Sequence, residues 1–427
     1  MARNSPQPPT DADPAMDPRA DYDHAGDGSE RPTLVSALES RVDGDVKFDT
    51  YSRQLYATDA SVYQQLPIGV VAPASTEDVA AVMRYCADHE IPVLPRGGGT
   101  SLAGQAVNEA VVLDFKRHMD AFLEVDPEAR TARAQAGITL ATLNDTLRPH
   151  GLKYAPDPAW GDKSVLGGCI GNNSTGAHSL KYEKADGYVE SVEAVLADGT
   201  VTTFGWVDVD ELDDLAAGAA SGGDSPGDDP DLEARIYAEV RRILEEDADE
   251  IEARYPDLTR NVSGYNLDRL VADARERGAV NVGRLLAGSE GTLAIVTAAE
   301  ISLEPVPETT SVVMLTYDGV LPAMRDVAPI LEHDPSAVEV MDDVFLDLAR
   351  DTGEFAHLVE TLPEGTDSTL LVEFYAESDR QARRKVADLL ADRLPSYEAA
   401  ENPHEGAAET TDEPVNAVDA LEAYDAD

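Results

Sequence analysis

Three glycine-rich segments carry the residue types best suited to chemistry. The first reads Pro95-Arg96-Gly97-Gly98-Gly99-Thr100-Ser101-Leu102-Ala103-Gly104-Gln105. Adjacent glycines let backbone N–H groups converge on an anion without Cβ interference, and Thr100 and Ser101 add hydroxyl donors. A pyrophosphate suits such a loop; a plain glycine-rich turn is the simpler alternative. It matches neither of the commonest phosphate loops, because no Gly-Lys-Ser/Thr follows and the third position of a dinucleotide fingerprint counted from Gly97 falls on Leu102. The second segment holds Ser164, Gly167-Gly168 and Gly171-Asn172-Asn173-Ser174-Thr175-Gly176-Ala177-His178, and the rigid turn Pro156-Asp157-Pro158 precedes it. Gly and Asn tolerate left-handed backbone, so this stretch can wrap closely round a planar or phosphorylated ligand. The third is Gly288-Ser289-Glu290-Gly291-Thr292-Leu293, which enters a strand ending at Thr297. Three such turns on short connections indicate one extended ligand.

Titratable residues are less telling. Histidines stand at 24, 89, 118, 150, 178, 333, 357 and 404, with no His-x-His pair and none beside a Gly-Asp-Gly turn. No catalytic base and no metal ligand is assigned. Cys86 and Cys169 are the only cysteines, which excludes a disulfide framework and a four-thiolate metal or iron–sulfur site within the chain. A reducing compartment is expected.

The elements that must hold these segments alternate between short strands and helices. Ile68 to Val71 is an apolar run; Ser75, with Asp78 three residues on, marks a helix N-terminus. Val79, Val82, Met83 and Cys86 then form one helical stripe, so Cys86 belongs to the core. Ile91 to Leu94 and Val111 to Leu113 read as strands, making 67–116 a first lobe after an N-terminal segment, 31–66. Residues 117–310 form a second lobe: a helix through Leu140, Leu143 and Leu147 closed by Gly151, a strand from Val189 to Leu196 with a hairpin at Asp198-Gly199, a long helix through Leu232, Ile236 and Val240, and a strand over Leu293 to Val296. From 311 to 400 the pattern restarts as a smaller, partial α+β domain: strand, helix near 322–333, strand Leu370 to Phe374, and a helix from Asp379. Residues 1–30, 206–231 and 401–427 are acidic and poor in large apolar side chains; they read as a disordered leader, a solvated insertion and a disordered tail.

The chain has 427 residues, 42% of them apolar, enough for two or three packed domains. Its 83 Asp and Glu against 33 Lys and Arg give a formal charge of −50, which repels nucleic acid in the absence of a basic cluster. The excess runs along the whole chain, which suits a saline cytoplasm better than one acidic partner-binding face. No stretch approaches the length of a membrane span, and residues 1–30 lack the layout of a signal peptide. A cytoplasmic protein is expected.

The ensemble of Arg96 to Gln105, Ala155-Pro156-Asp157-Pro158, Gly167 to Ser179, Val262-Ser263-Gly264-Tyr265-Asn266-Leu267 and Leu286 to Thr292 resembles the FAD-binding domain of the vanillyl-alcohol oxidase, or p-cresol methylhydroxylase (PCMH), superfamily. Within it, the chain is most similar to the D-lactate, glycolate and D-2-hydroxyglutarate dehydrogenase branch, in the form where an iron–sulfur region follows the flavin module. The resemblance implies an α+β fold, a two-lobed FAD-binding domain of mixed and parallel sheets with flanking helices, followed by an incomplete ferredoxin-like cap. It implies non-covalent FAD. Arg96, Gly97, Gly98, Gly99, Thr100, Ser101, Leu102, Gly104 and Gln105 would grip the pyrophosphate; Ser164, Gly167, Gly168, Gly171, Asn172, Asn173, Ser174 and Gly176 would line the flavin and ribityl chain. Glu290, Gly291, Thr292, Leu293 and Ile295 would approach the nucleotide end, with Pro156 and Asp157 also in contact.

The implied reaction is oxidation of a small 2-hydroxy acid by hydride transfer from Cα, with electrons passing to an acceptor or an iron–sulfur partner. The alternatives are a non-catalytic flavin-carrying subunit and an oxidase of sugar lactones, alcohols or aryl ethers. His178 is either a hydrogen-bond donor to the flavin or structural, and the cation for the substrate carboxylate stays open among Arg96, Arg269, Arg284 and Arg325. The family's Gly-His-x-Gly-Asp-Gly-Asn stretch is missing, and a truncated frame, a split gene or a partner subunit would each account for that. Glu183 follows Tyr182 where relatives carry glycine, which puts the geometry of that turn in question.

Overall fold

The computed structural model describes residues 31–217, 231–258, 260–394 and 416–424. The expected leader, 1–30, lies outside them, as do 218–230 of the acidic insertion and 395–415 before the final segment.

The first lobe is a four-stranded sheet in the order Asp45–Lys47, Gly69–Ala72, Val111–Asp114, Val93–Arg96. The last three strands run parallel, and the first is antiparallel to its neighbour. Crossover helix Thr76–Asp88 starts where the sequence says it should: the Ser75 side chain accepts from the Asp78 amide. Its stripe Val79, Val82 and Cys86 is buried against Val71 and Leu113. Residues 31–66 are part of this lobe rather than a separate segment, since Leu34, Leu38, Val42 and Phe48 enter the same core.

The second lobe is a five-stranded antiparallel sheet, ordered Phe122–Asp126, Thr131–Gln135, Ile295–Ser302, Val189–Val195, Val201–Phe204. Helices Leu140–Leu147, Leu232–Arg242 and Leu267–Arg277 bury Leu143, Leu147, Tyr237, Val240 and Leu270 with that sheet. The start of the acidic insertion, expected as solvated surface, joins the fold, and Leu212 is buried. Trp206–Asp208 pairs antiparallel with Ala279–Asn281, and the Trp206 ring lies beneath the guanidiniums of Arg277 and Arg284, 5.0 and 4.7 Å from its centroid. Charge density hid one aromatic anchor.

The third unit runs strand, helix, strand, two short helices, strand, helix, strand: the βαββαβ order of ferredoxin-like domains with helices Asp343–Asp351 and Ala356–Val359 inserted after the second strand. Its antiparallel sheet is ordered Ala337–Met341, Ser368–Ala376, Thr309–Tyr317, Asp419–Tyr424, and helices Val320–Leu331 and Asp379–Arg393 join its core through Ala323, Ile330, Val386 and Leu389. The fourth strand comes from the stretch expected to be a disordered tail. Ala417 is buried and Ala420 and Tyr424 pack on the core, while Asp419 and Glu422 point their charge to solvent. A composition count cannot see those three anchors.

Candidate cofactor cleft

Residues 97–107 leave the parallel strand Val93–Arg96 as a loop, the usual place for a ligand at the carboxyl end of such a strand. At its first two glycines the loop packs so closely that side chains are barred. A Cβ on Gly97 would lie 2.3 Å from Val165 Cγ2, and one on Gly98 would lie 2.0 Å from the Lys163 carbonyl oxygen. The second segment faces it through helix Leu166–Gly171, and the third turns at Glu290 (φ 53°) and Gly291 (φ 77°).

Direct bonds tie the three together. Thr100 Oγ1 lies 3.2 Å from Ser164 Oγ, while Gln105 Nε2 donates to Asn172 Oδ1 at 3.0 Å and to Glu290 Oε1 at 3.2 Å. The Gly288 and Glu290 amides donate to the Ile170 and Gly171 carbonyls at 3.0 and 2.9 Å. Between the segments lies a cleft of about 700 Å³, inside the roughly 300–1,000 Å³ range of ligand sites.

Of the residues expected to hold a cofactor, Arg96, Gly97, Gly98, Gly99, Thr100, Ser101, Leu102, Gln105, Ser164, Gly167, Gly168, Gly171, Asn172, Ser174, Glu290 and Gly291 border this cleft. The others do not. Gly104 packs on the Tyr63 ring, and Gly176 abuts the Asp157 carbonyl. Asn173 is buried, bonding Asn266 and the Asp186 amide. Thr292 Oγ1 donates to the Ser289 carbonyl, Leu293 is exposed and Ile295 belongs to the core. Pro156 and Asp157 lie behind the wall, of which Pro158 forms part. Sequence reasoning missed the apolar lining, including Phe115, Ala136, Trp160, Cys169 and Val296. Val296 lies on strand Ile295–Ser302 and Cys169 on helix Leu166–Gly171, while Phe115, Ala136 and Trp160 stand outside strands and helices, so no local pattern marks them as facing a ligand. Burial pushes the Cys169 thiol up to about 11, so it lines the cleft as a neutral group.

Three of the four arginines are engaged elsewhere, and the fourth stands outside the cleft lining. Arg96 borders the cleft, but its guanidinium donates to the carbonyls of Tyr56, Thr58 and Ala106 at 2.8–3.1 Å and so braces the loop. Arg269 pairs with Glu183 at 2.9 Å, Arg284 pairs with Asp273 at 3.1 Å, and Arg325 stands exposed on Val320–Leu331. His333 bonds Asp392 at 3.0 Å and His357 is exposed. Among the described residues, no cluster of His, Cys, Asp or Glu is arranged to hold a metal ion, and no helix is long and apolar enough to cross a membrane.

Comparison with known families names the cofactor. Residues 67–205 match the family "FAD binding domain", and residues 306–418 match "FAD linked oxidases, C-terminal domain". The chain belongs to the FAD-linked oxidases. FAD is the cofactor of this flavoprotein, and the residues present fit it. The cradle is closed to Cβ atoms at Gly97 and Gly98, its walls set apolar side chains such as Phe115 and Val296 beside the Thr100, Ser101 and Ser164 hydroxyls, and Gln105 Oε1 is a buried acceptor without a hydrogen-bond partner.

The flavoprotein is 31% identical to a D-2-hydroxyglutarate dehydrogenase of Pseudomonas putida over 83% of this chain and 35% of that protein. It is 29% identical to glycolate oxidase subunit GlcD of Bacillus subtilis over 78% of this chain and 57% of the other, and 29% identical to a D-lactate dehydrogenase of Archaeoglobus fulgidus over 75% and 57%. The chain thus spans about a third of the length of the dehydrogenase from Pseudomonas. Among solved structures, an alkyldihydroxyacetonephosphate synthase aligns with TM-score 0.57 at 20% identity, covering 84% of this chain and 60% of that one. A carbohydrate oxidase from Microdochium nivale aligns at 0.54 and 14%, covering 85% and 60%. Those two likenesses establish the fold.

Proposed function

We propose that this flavoprotein oxidises a small 2-hydroxy acid of the D-lactate, glycolate or D-2-hydroxyglutarate class and passes the electrons to an acceptor other than oxygen, such as an iron–sulfur partner. One observation carries the reading: relatives with three different substrate names, each a 2-hydroxy acid, align over 75–83% of this chain. Bound FAD supplies a two-electron, hydride-accepting centre. The protein's part is to hold and enclose it. Backbone N–H groups of residues 97–101, with the Thr100, Ser101 and Ser164 hydroxyls, bind the pyrophosphate. Residues 164–174 line the flavin and ribityl chain, and 290–291 meet the nucleotide end. Phe115, Ala136, Cys169 and Val296 keep water from the floor, and Gln105 joins the three turns. The FAD is held without a covalent link. We read the charge of −50 as adaptation to a saline cytoplasm.

The protein reconstituted with FAD tests this. Anaerobic addition of D-lactate, glycolate and D-2-hydroxyglutarate in turn should bleach the visible flavin bands with one of the three, and a dye acceptor should restore them. A second reading, a flavin-carrying subunit that needs a partner for chemistry, is favoured by the histidines: those of the described residues lie outside the cleft lining. Flavin that binds yet stays oxidised with all three acids would establish that reading and overturn the first.

A further inference from the structure

The turn Pro156-Asp157-Pro158 sends one carboxylate away from the cleft. Pro158 borders the cleft, while Asp157 hydrogen-bonds Nδ1 of His178. The other ring nitrogen, Nε2, lies 3.0 Å from Glu373 Oε1. Glu373 belongs to strand Ser368–Ala376 of the cap. The same imidazole stacks on Tyr375 of that strand, with centroids 5.2 Å apart and planes 25° apart. One ring therefore touches the flavin-binding domain at one nitrogen and the cap at the other nitrogen and one face.

The contact on the flavin side is stiff. A Cβ on Gly176 would lie 2.3 Å from the carbonyl and a carboxylate oxygen of Asp157, so the two segments interlock without slack. Moving Asp157 moves Pro158 and Ser174, and both border the cleft.

We propose that His178 is a positioning residue: its bridge between Asp157 and Glu373 seats the cap strand Ser368–Ala376 against the cleft wall and fixes the shape of that wall. Both ring nitrogens face carboxylate oxygens, so the bridge is complete only when both carry protons. Burial works against the charged ring, but the hydrogen bonds and charges of Asp157 and Glu373 outweigh it and raise the pKa to about 9. The surroundings are mixed in charge. Lys153 Nζ lies 3.3 Å from the Tyr375 hydroxyl and 4.7 Å from the Tyr182 centroid, and Lys181 Nζ lies 5.9 Å from both rings. Glu304 acts on Tyr182 and Lys153, and Arg260 donates to the Gly176 carbonyl and Ser179 Oγ. None of these replaces a proton between the two carboxylates. A raised pKa means that the bridge stabilises fully below the unfolded value near 6.5 and that this contribution is lost as pH rises through about 9. At neutral pH His178 is a held cation and not a base for substrate.

The test uses FAD-loaded protein and no substrate, so it stands apart from the substrate proposal. Hydrogen exchange of Ser368–Ala376 and of residues 152–158, corrected for intrinsic rate, is followed against pH together with the FAD dissociation constant. Wild type should pass from slow to fast exchange with a midpoint near 9, by about tenfold or more, as losing a charge-assisted hydrogen bond implies. His178→Gln should exchange fast at every pH and bind FAD more weakly with no midpoint. Should that variant not fold, Glu373→Gln keeps the shape and removes one charge; it should move the midpoint downward. A wild-type profile without a step near 9, or a Glu373→Gln midpoint unchanged from wild type, overturns the proposal.

Discussion

Gly98 is the residue at which sequence and geometry meet most directly. Its missing Cβ leaves room for the Lys163 carbonyl, a backbone atom that cannot rotate away. Gly98→Ala must push the 97–105 loop off the 163–164 segment, and overpacking of this kind costs about 1–3 kcal/mol. FAD affinity should therefore fall on the order of 10- to 100-fold, measured by flavin fluorescence on titration, while Gly161→Ala, with nothing within 4 Å of the added Cβ, leaves it unchanged. The glycines were legible because only they permit such approach. Direction was not legible. In Asn172-Asn173 one side chain faces the cleft and its neighbour is buried beneath it, and nothing in a pair of identical letters says which. Glu183 shows the opposite failure. It takes φ 55° and ψ −120°, the glycine-like turn the sequence put in question, and holds it with a 2.9 Å bond to Arg269, a partner far off in sequence.

Elements with a strong local signature were readable, and those defined by distant pairing were not. Helix Thr76–Asp88 carries its own cap and stripe, so its start follows from Ser75 alone. Strand Asp419–Tyr424 has no such mark. It is a strand because residues 311–316 offer an open edge and because Ala417, Ala420 and Tyr424 fill the cap core. Asn416 adds a 2.7 Å bond to Asp326 from the far side of the chain. Ending the chain after residue 415 should leave Thr309–Tyr317 as an exposed edge, a template for association. Calorimetry should show the cap melting on the order of 10 °C below the flavin-binding lobes, with light scattering at that step; coincident melting at the full-length temperature would mean that the strand is dispensable.

At the scale of the whole molecule, charge governs. Ion pairs such as Arg242 with Glu239, Glu246 and Asp247 use up the few cations locally, and 33 Lys and Arg cannot offset 83 Asp and Glu. The remainder is repulsion, which destabilises a compact chain until ions screen it. Going from about 0.1 M to about 1 M salt shortens the Debye length from about 10 to about 3 Å, less than the spacing of most surface charges. FAD is itself an anion through its pyrophosphate, so the same field opposes its approach. Raising KCl over that range should therefore lift the melting temperature and speed FAD association together, whereas a neutral protein would show neither. An equal concentration of an uncharged osmolyte separates screening from general exclusion, because it can raise the melting temperature without accelerating FAD. If the association rate is the same in dilute and molar KCl, the acidic field does not reach the cleft mouth and its origin must be sought in local surface chemistry.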